Sequence, residues 1–300
     1  MTTRRTFLSY SGLALGSSLL PGQQWLLNHL FPVAGEMRLL RNNVGIYLER
    51  GGSIGWMMDK EGAVVIDTQF PEQAGNFIAQ MQTKTDRKVD ILFNTHHHGD
   101  HSSGNIAFKG LADRLVAHTR SKANQEAAAA AQNTLDKQWL PDTVFEENWS
   151  SKVGSETVTA RYFGPGHTNG DSVVHFENAN VAHLGDLCFN RRFPYIDKKS
   201  GASIQNWILV LQQIRATFDS DTLFVFGHGK TNDMVTGGKE DLMAFENYLE
   251  QLLVYVRKGI AEGKTAEQLS EVPFIPNAPE WTGDGIRRSI DAALIELAEN

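Results

Sequence analysis

The run Thr95-His96-His97-His98-Gly99-Asp100-His101 constrains this chain more than any other feature, because His96, His98, Asp100 and His101 crowd four metal-capable side chains into six residues. Val89 to Phe93, immediately before it, is an apolar run with polar flanks and reads as a buried strand. Side chains alternate along extended backbone. His96 and His98 therefore face one way and can grip one cation, while Asp100 and His101 lie just beyond and can serve a second. His97 alternates away and reads as a supporting residue. Ligand sites of open α/β sheets sit at the carboxyl ends of strands, where this loop begins. The competing reading is a surface His-rich run with adventitious metal affinity.

Three further segments weigh against that alternative. His167 in Gly164-Pro165-Gly166-His167-Thr168, Asp186 in Leu184-Gly185-Asp186, and His228 in Phe226-Gly227-His228-Gly229 each follow an apolar run and adjoin glycine. Each alone is an ordinary turn residue. Together with the first four they complete two coordination shells.

Strand-like runs at Val44–Leu48, Ile54–Met58 and Ala63–Ile66 are separated by Gly51-Gly52-Ser53 and by Asp59 to Gly62, which suggests a meander. Pro71 opens a helix to about Gln82, with Phe77, Ile78 and Met81 on one face. Further strands are expected at Leu115–Ala117, Thr157–Phe163, Ser172–Phe176, Val181–Leu184 and Leu223–Phe226. Helices are expected at Trp207–Phe218, about 237 to 262 and about 285 to 298. The alanine-rich stretch 120 to 139 reads as a solvated helix. Without repeats or linkers, residues 35–300 read as a single domain ending in helices, of an α/β or α+β layered class.

The order H-x-H-x-D-H, lone His, Gly-Asp, Gly-His resembles the metallo-β-lactamase superfamily over about residues 44 to 229. The resemblance implies a four-layer αβ/βα sandwich with the site between two sheets at one edge. It implies that His96, His98 and His167 hold one metal, that Asp100, His101 and His228 hold the second, and that Asp186 bridges them. Two Zn2+ ions suit this donor set, although an all-nitrogen-and-oxygen shell also admits iron or manganese. The chemistry implied is a metal-bridging hydroxide, oriented by Asp100, attacking a carbonyl carbon.

Aspartate at position 186 resembles the glyoxalase II-like thioesterases, lactonases and many phosphodiesterases, whereas zinc β-lactamases carry cysteine or serine there. His98 argues against the flavodiiron reductases, which have glutamate at that place; sulfur dioxygenases of the same fold remain a minor alternative. A small ester, thioester or lactone is the expected substrate. A β-lactam is the alternative, because Gly164 to Val174 looks like exported β-lactamase-like members. A rival of another class is a non-catalytic zinc-binding protein, which could lose one donor without penalty.

Around the site, Asp67 ends the strand Val64-Val65-Ile66 and reads either as a support of the metal loop or as a turn residue. Asn190 to Tyr195 should border the cleft, with Arg191 or Arg192 able to pair with a substrate carboxylate and Tyr195 able to donate to an oxyanion. Trp56, Met57, Cys188 and His183 read as packing residues; His29, His118 and His175 receive no role.

The chain's net charge is −7, and −9 without Arg4 and Arg5, the two charged residues of the first 34. An acidic body argues against nucleic acid and for a small-molecule substrate. Thr3-Arg4-Arg5-Thr6-Phe7-Leu8, leading into an apolar small-residue run, resembles a twin-arginine export signal over residues 1–34 and implies a periplasmic or otherwise exported enzyme, with the signal cleaved or kept as an anchor. The sequence leaves the oligomeric state open.

Overall fold

The structure, a computed structural model, describes residues 35–299. The segment read as an export signal lies outside the described residues.

The chain runs β1 (Glu36–Arg41), β2 (Val44–Leu48), β3 (Ile54–Met58), β4 (Ala63–Ile66), α1 (Pro71–Gln82), β5 (Ile91–Asn94), the short α2 (Gly99–Ser102), β6 (Leu115–His118), α3 (Thr119–Ala131), β7 (Thr143–Phe145), β8 (Asn148–Val153), β9 (Glu156–Arg161), β10 (Val173–Phe176), β11 (Val181–His183), β12 (Phe189–Asn190), α4 (Ile204–Thr217), β13 (Leu223–Val225), β14 (His228–Gly229), β15 (Thr236–Gly237), α5 (Lys239–Ala261), α6 (Ala266–Leu269) and α7 (Ile286–Ala298). Strands β1 to β7 form one sheet in chain order. A second sheet runs β15-β13-β11-β10-β9-β8, and β12 pairs with β14.

Strand alternation explains the layering. Ile46, Val64, Ile91, Phe93 and Val116 of the first sheet pack with Val158, Val174, Val181 and Val225 of the second. Their chain neighbours Tyr47, Val65, Leu92 and Leu115 face the other way, onto Phe77, Ile78 and Met81 of α1. In the second sheet Val173, Ala182 and Phe224 turn outward onto α4, α5 and α7, through Trp207, Leu211, Phe245, Leu249 and Ile290. Helix, sheet, sheet and helices thus make the expected four-layer αβ/βα sandwich. Strands buried on both faces read as unbroken apolar runs, as those of the sheet centres do here.

The differences are local. The helix expected over 120 to 139 ends at Ala131, where Gln132, Asn133 and Thr134 turn the chain on backbone bonds to Ala128, Ala130 and Ala129. Strands β1, β7 and β8 had not been expected; β8 alternates exposed and half-buried residues along Asn148 to Lys152, so it lacks an apolar run.

Candidate metal centre

Every donor anticipated from the sequence lies just beyond the carboxyl end of a strand. His96 to His101 follow β5, His167 follows β9, Asp186 follows β11 and His228 follows β13. The first group leaves one sheet and the other three leave the second. Backbone bonds stitch these loops together: Ser53 N–H donates to Gly227 O at 3.0 Å, Ser172 N–H to Thr95 O at 2.9 Å, and Gly227 N–H to Gly185 O at 2.7 Å. Two glycines are demanded by the packing. Gly185 has φ +51° and lies against Thr95, and a Cβ on Gly227 would collide with Asp186 Oδ1.

Two groups of donors converge, each with its ligand atoms within 4.8 Å of one another: His96, His98, His167 and Asp186, and Asp100, His101 and His228. Within the first group, His98 Nδ1 lies 2.8 Å from His167 Nε2 and 3.2 Å from His96 Nε2. Asp186 stands between the groups. Its Oδ2 is 3.4 Å from His167 Nε2 and 3.5 Å from His228 Nε2, and its Oδ1 is 3.0 Å from His101 Nε2. Yet Oδ1 is buried without a well-directed hydrogen bond among the described residues. Converging ring nitrogens around a buried, incompletely satisfied carboxylate are a poor hydrogen-bond network and a good fit for cations.

The opposite nitrogen of four of these rings is engaged, which fixes which atom faces inward. His101 Nδ1 donates to Asp67 Oδ2 at 2.7 Å, and His167 Nδ1 donates to the carbonyl of Tyr195 at 2.7 Å. His96 Nδ1 meets Thr95 Oγ1 at 3.1 Å, and that hydroxyl donates to Asp67 at 2.7 Å. His98 is reversed: its Nε2 donates to Asp197 Oδ2 at 2.9 Å, leaving Nδ1 for the centre. Such partners set the tautomer and aim of a ligand. Asp67, at φ 62°, also accepts the backbone N–H of Thr95 at 2.8 Å, so it supports the loop. Asp197 escaped the sequence reading because Ile196-Asp197-Lys198 carries no spacing signature.

Electrostatics in the metal-free chain agree with that division. Burial pushes the His96 imidazole well down and His167 to about 3, aided by neighbouring imidazoles, so both are neutral donors. Burial opposes charge on His101 as well, but Asp186, Asp100 and Asp67 hold it well above the usual imidazole value. Asp186 is held well below the carboxylate range by His228, His101 and His167 despite its burial. Asp100 is likewise drawn down to about 2, against its burial, chiefly by His101 and by the hydrogen bond with His228.

His97, His98 and Asp197 form a third cluster that shares His98; His97 Nε2 also meets Ser200 Oγ at 3.2 Å. The cleft before the centre has a volume of about 360 Å3 and is lined by Asp100, Asp186, Arg192, Tyr195 and His228 among others. Arg191 turns away from it: its guanidinium meets Asp241 at 3.3 Å and lies 5.0 Å from the Trp281 ring centre. Arg191 itself takes a left-handed backbone, φ 61°, just past the end of β12, and the chain turns there between the two arginines. Cys188 and His183 are buried, and His183 Nε2 donates to Ser53 O at 3.1 Å. His118, given no role, accepts the N–H of Arg120 at the start of α3.

Comparison with known proteins agrees with this architecture. The sequence pattern of the metallo-beta-lactamase superfamily matches residues 49–235. The chain is 27% identical over 179 residues to a metallo-beta-lactamase type 2 of Elizabethkingia meningoseptica, covering 59% of this chain and 69% of that one. It is 34% identical over 116 residues to a hydroxyacylglutathione hydrolase of Cereibacter sphaeroides, covering 38% of this chain and 39% of the relative. In fold it resembles a metallo-beta-lactamase from Pontibacter korlensis, with a TM-score of 0.58 and 20% identity over 72% of this chain and 99% of that one. With its donors gathered at the edge of the two sheets and well over half its length matched, the chain belongs to the metallo-β-lactamase superfamily and is a metal-binding hydrolase.

Proposed function

We propose that this chain is a binuclear metal-dependent hydrolase of a small carbonyl substrate, an ester, thioester or lactone. The observation that carries the reading is the position of Asp186, whose carboxylate lies within 3.5 Å of ring nitrogens from both donor groups. His96, His98 and His167 would hold one cation, Asp100, His101 and His228 the other, and Asp186 both. Two zinc ions suit the set, and iron or manganese fit it too. Such cations supply a Lewis acid and acidify a water from a pKa of ~15.7 to ~7.

The chain's own residues do the rest. Asp100 Oδ2, 3.0 Å from His228 Nε2, faces the cleft as a carboxylate and orients the attacking water as an acceptor. A group held near 2 passes a proton on rather than keeping it. Burial, then Asp197, pushes the Tyr195 phenol up, so its O–H stays protonated and can donate to the oxyanion at the cleft mouth.

The second reading is β-lactam hydrolysis, favoured by the likeness to the Elizabethkingia enzyme. A zinc-loaded preparation assayed on a 4-nitrophenyl ester, an acyl thioester, a lactone and a chromogenic cephalosporin separates the two. A kcat/KM of ~10⁴ M⁻¹s⁻¹ or more on one class identifies it. Asp100→Ala should abolish that turnover while leaving the fold intact, and unchanged hydrolysis would sink the mechanism. Residues 1–34 are proposed to direct export. Among the described residues no helix is long and apolar enough to cross a membrane.

A further inference from the structure

Within the first donor group His98 is the ring that meets the others through Nδ1, and its Nε2–H is held by Asp197 at 2.9 Å. Whatever fixes the Asp197 carboxylate therefore helps to aim His98. That carboxylate is buried, and its Oδ1 accepts the backbone N–H of Ser200 at 3.2 Å. Beside Oδ2 stands His97, whose Nε2 is 3.6 Å from Asp197 Oδ2 and 3.2 Å from Ser200 Oγ. Neighbours along extended backbone point apart. Here the rings of His97 and His98 meet all the same, their centres 4.4 Å apart and their planes tilted by 47°.

The surroundings of His97 assign its hydrogen. An ionised carboxylate can only accept, so the ring nitrogen facing Asp197 and Ser200 carries the N–H. The other nitrogen, Nδ1, is buried with no hydrogen-bond partner among the described residues, and an N–H placed there would go unmet. Two ring N–H groups, from His97 and from His98, thus converge on the Asp197–Ser200 pair.

We infer that His97 is a positioning residue of the metal centre: its Nε2–H, shared between Ser200 and Asp197, fixes the carboxylate that aims His98 at the first cation. This rests on the reading of His98 as a ligand in the hydrolase proposed above. The middle residue of His96-His97-His98 then holds no metal itself and acts through a residue 100 positions further along the chain.

The test compares three substitutions in the full chain. His97→Phe keeps a ring of similar shape and removes the N–H, His97→Gln returns an N–H near the place of Nε2, and His97→Asn carries one no further than Nδ1. Zinc affinity, read by competition with a chromophoric chelator, should fall about 10-fold in H97F and H97N and stay within about 2-fold of wild type in H97Q. The visible spectrum of the cobalt-loaded chain, which follows the symmetry of the ligand shell, should change in H97F and H97N and match the wild type in H97Q. The H97N and H97Q pair carries the test if H97F folds badly. Wild-type affinity and spectrum in H97F overturn the inference, and so does equal loss in all three variants, which would mark a packing role. A third zinc ion per chain that H97F fails to bind would also overturn it, by making His97 a ligand. The expected pattern in a chain that turns over no ester, thioester, lactone or lactam would sink the hydrolase reading and leave the role of His97 standing.

Discussion

Asp67 and His101 are joined by a 2.7 Å hydrogen bond between two side chains that solvent does not reach. Asp67→Asn keeps a residue that tolerates positive φ but removes the charge that orients the ring. Affinity for zinc should fall about 10- to 100-fold, measured by competition with a chromophoric chelator. Wild-type affinity in this variant would show that the bond is incidental.

Asp186→Ser takes away the carboxylate between the donor groups while keeping a small polar side chain. On the binuclear reading proposed above, metal content should drop from two ions per chain towards one, with at least a ~10³-fold loss of turnover. Elemental analysis after dialysis checks the stoichiometry independently of activity. Two retained ions would show that the groups do not depend on the bridge.

Metal loading should expel a proton. In the metal-free chain Asp186, Asp100 and Asp67 hold the imidazole of His101 above its ordinary value against its burial, which favours its charged form. Its contribution to stability is full below the unfolded value of about 6.5 and is lost as pH rises through the folded one. Zinc must displace that proton, so affinity should weaken as pH falls below 7. Calorimetric titrations at pH 7 in buffers of different ionisation enthalpy should report roughly one proton released from the protein per chain, and no buffer dependence would contradict the assignment.

Glu296 of α7 is buried and accepts the backbone N–H groups of Ile204 and Gln205 at 2.8 and 2.9 Å, the hydroxyl of Ser203 at 3.1 Å and the ammonium of Lys198 at 3.2 Å. Its carboxyl group therefore caps α4 at the end where the helix field favours an acidic side chain. Glu296→Gln should cost about 2 kcal/mol, read as a lower midpoint in urea unfolding. An unchanged midpoint would mean that solvent or a neighbouring group replaces the cap.

The site was more legible than the fold around it because its chemistry is local. His96, His98, Asp100 and His101 fall within six residues, and a reader needs only strand alternation to group them. The buried central strands were legible for a related reason: with both faces covered, Val64-Val65-Ile66 and Ile91-Leu92-Phe93 leave no polar residue to blur the run. The edge strand β8 lacks that run. Asp197 and Glu296 were hidden because their partners lie 99 and 92 residues away, which no window detects. Arg191 and Arg192 were inseparable in sequence, and only the side on which each emerges tells them apart.

Because one sheet delivers four of the donors and the other delivers three, neither half of the sandwich carries a full set. The cation can therefore act as a proofreader of folding, held tightly only once the two halves have docked in register, and a chain misfolded at that seam should announce itself by failing to retain metal.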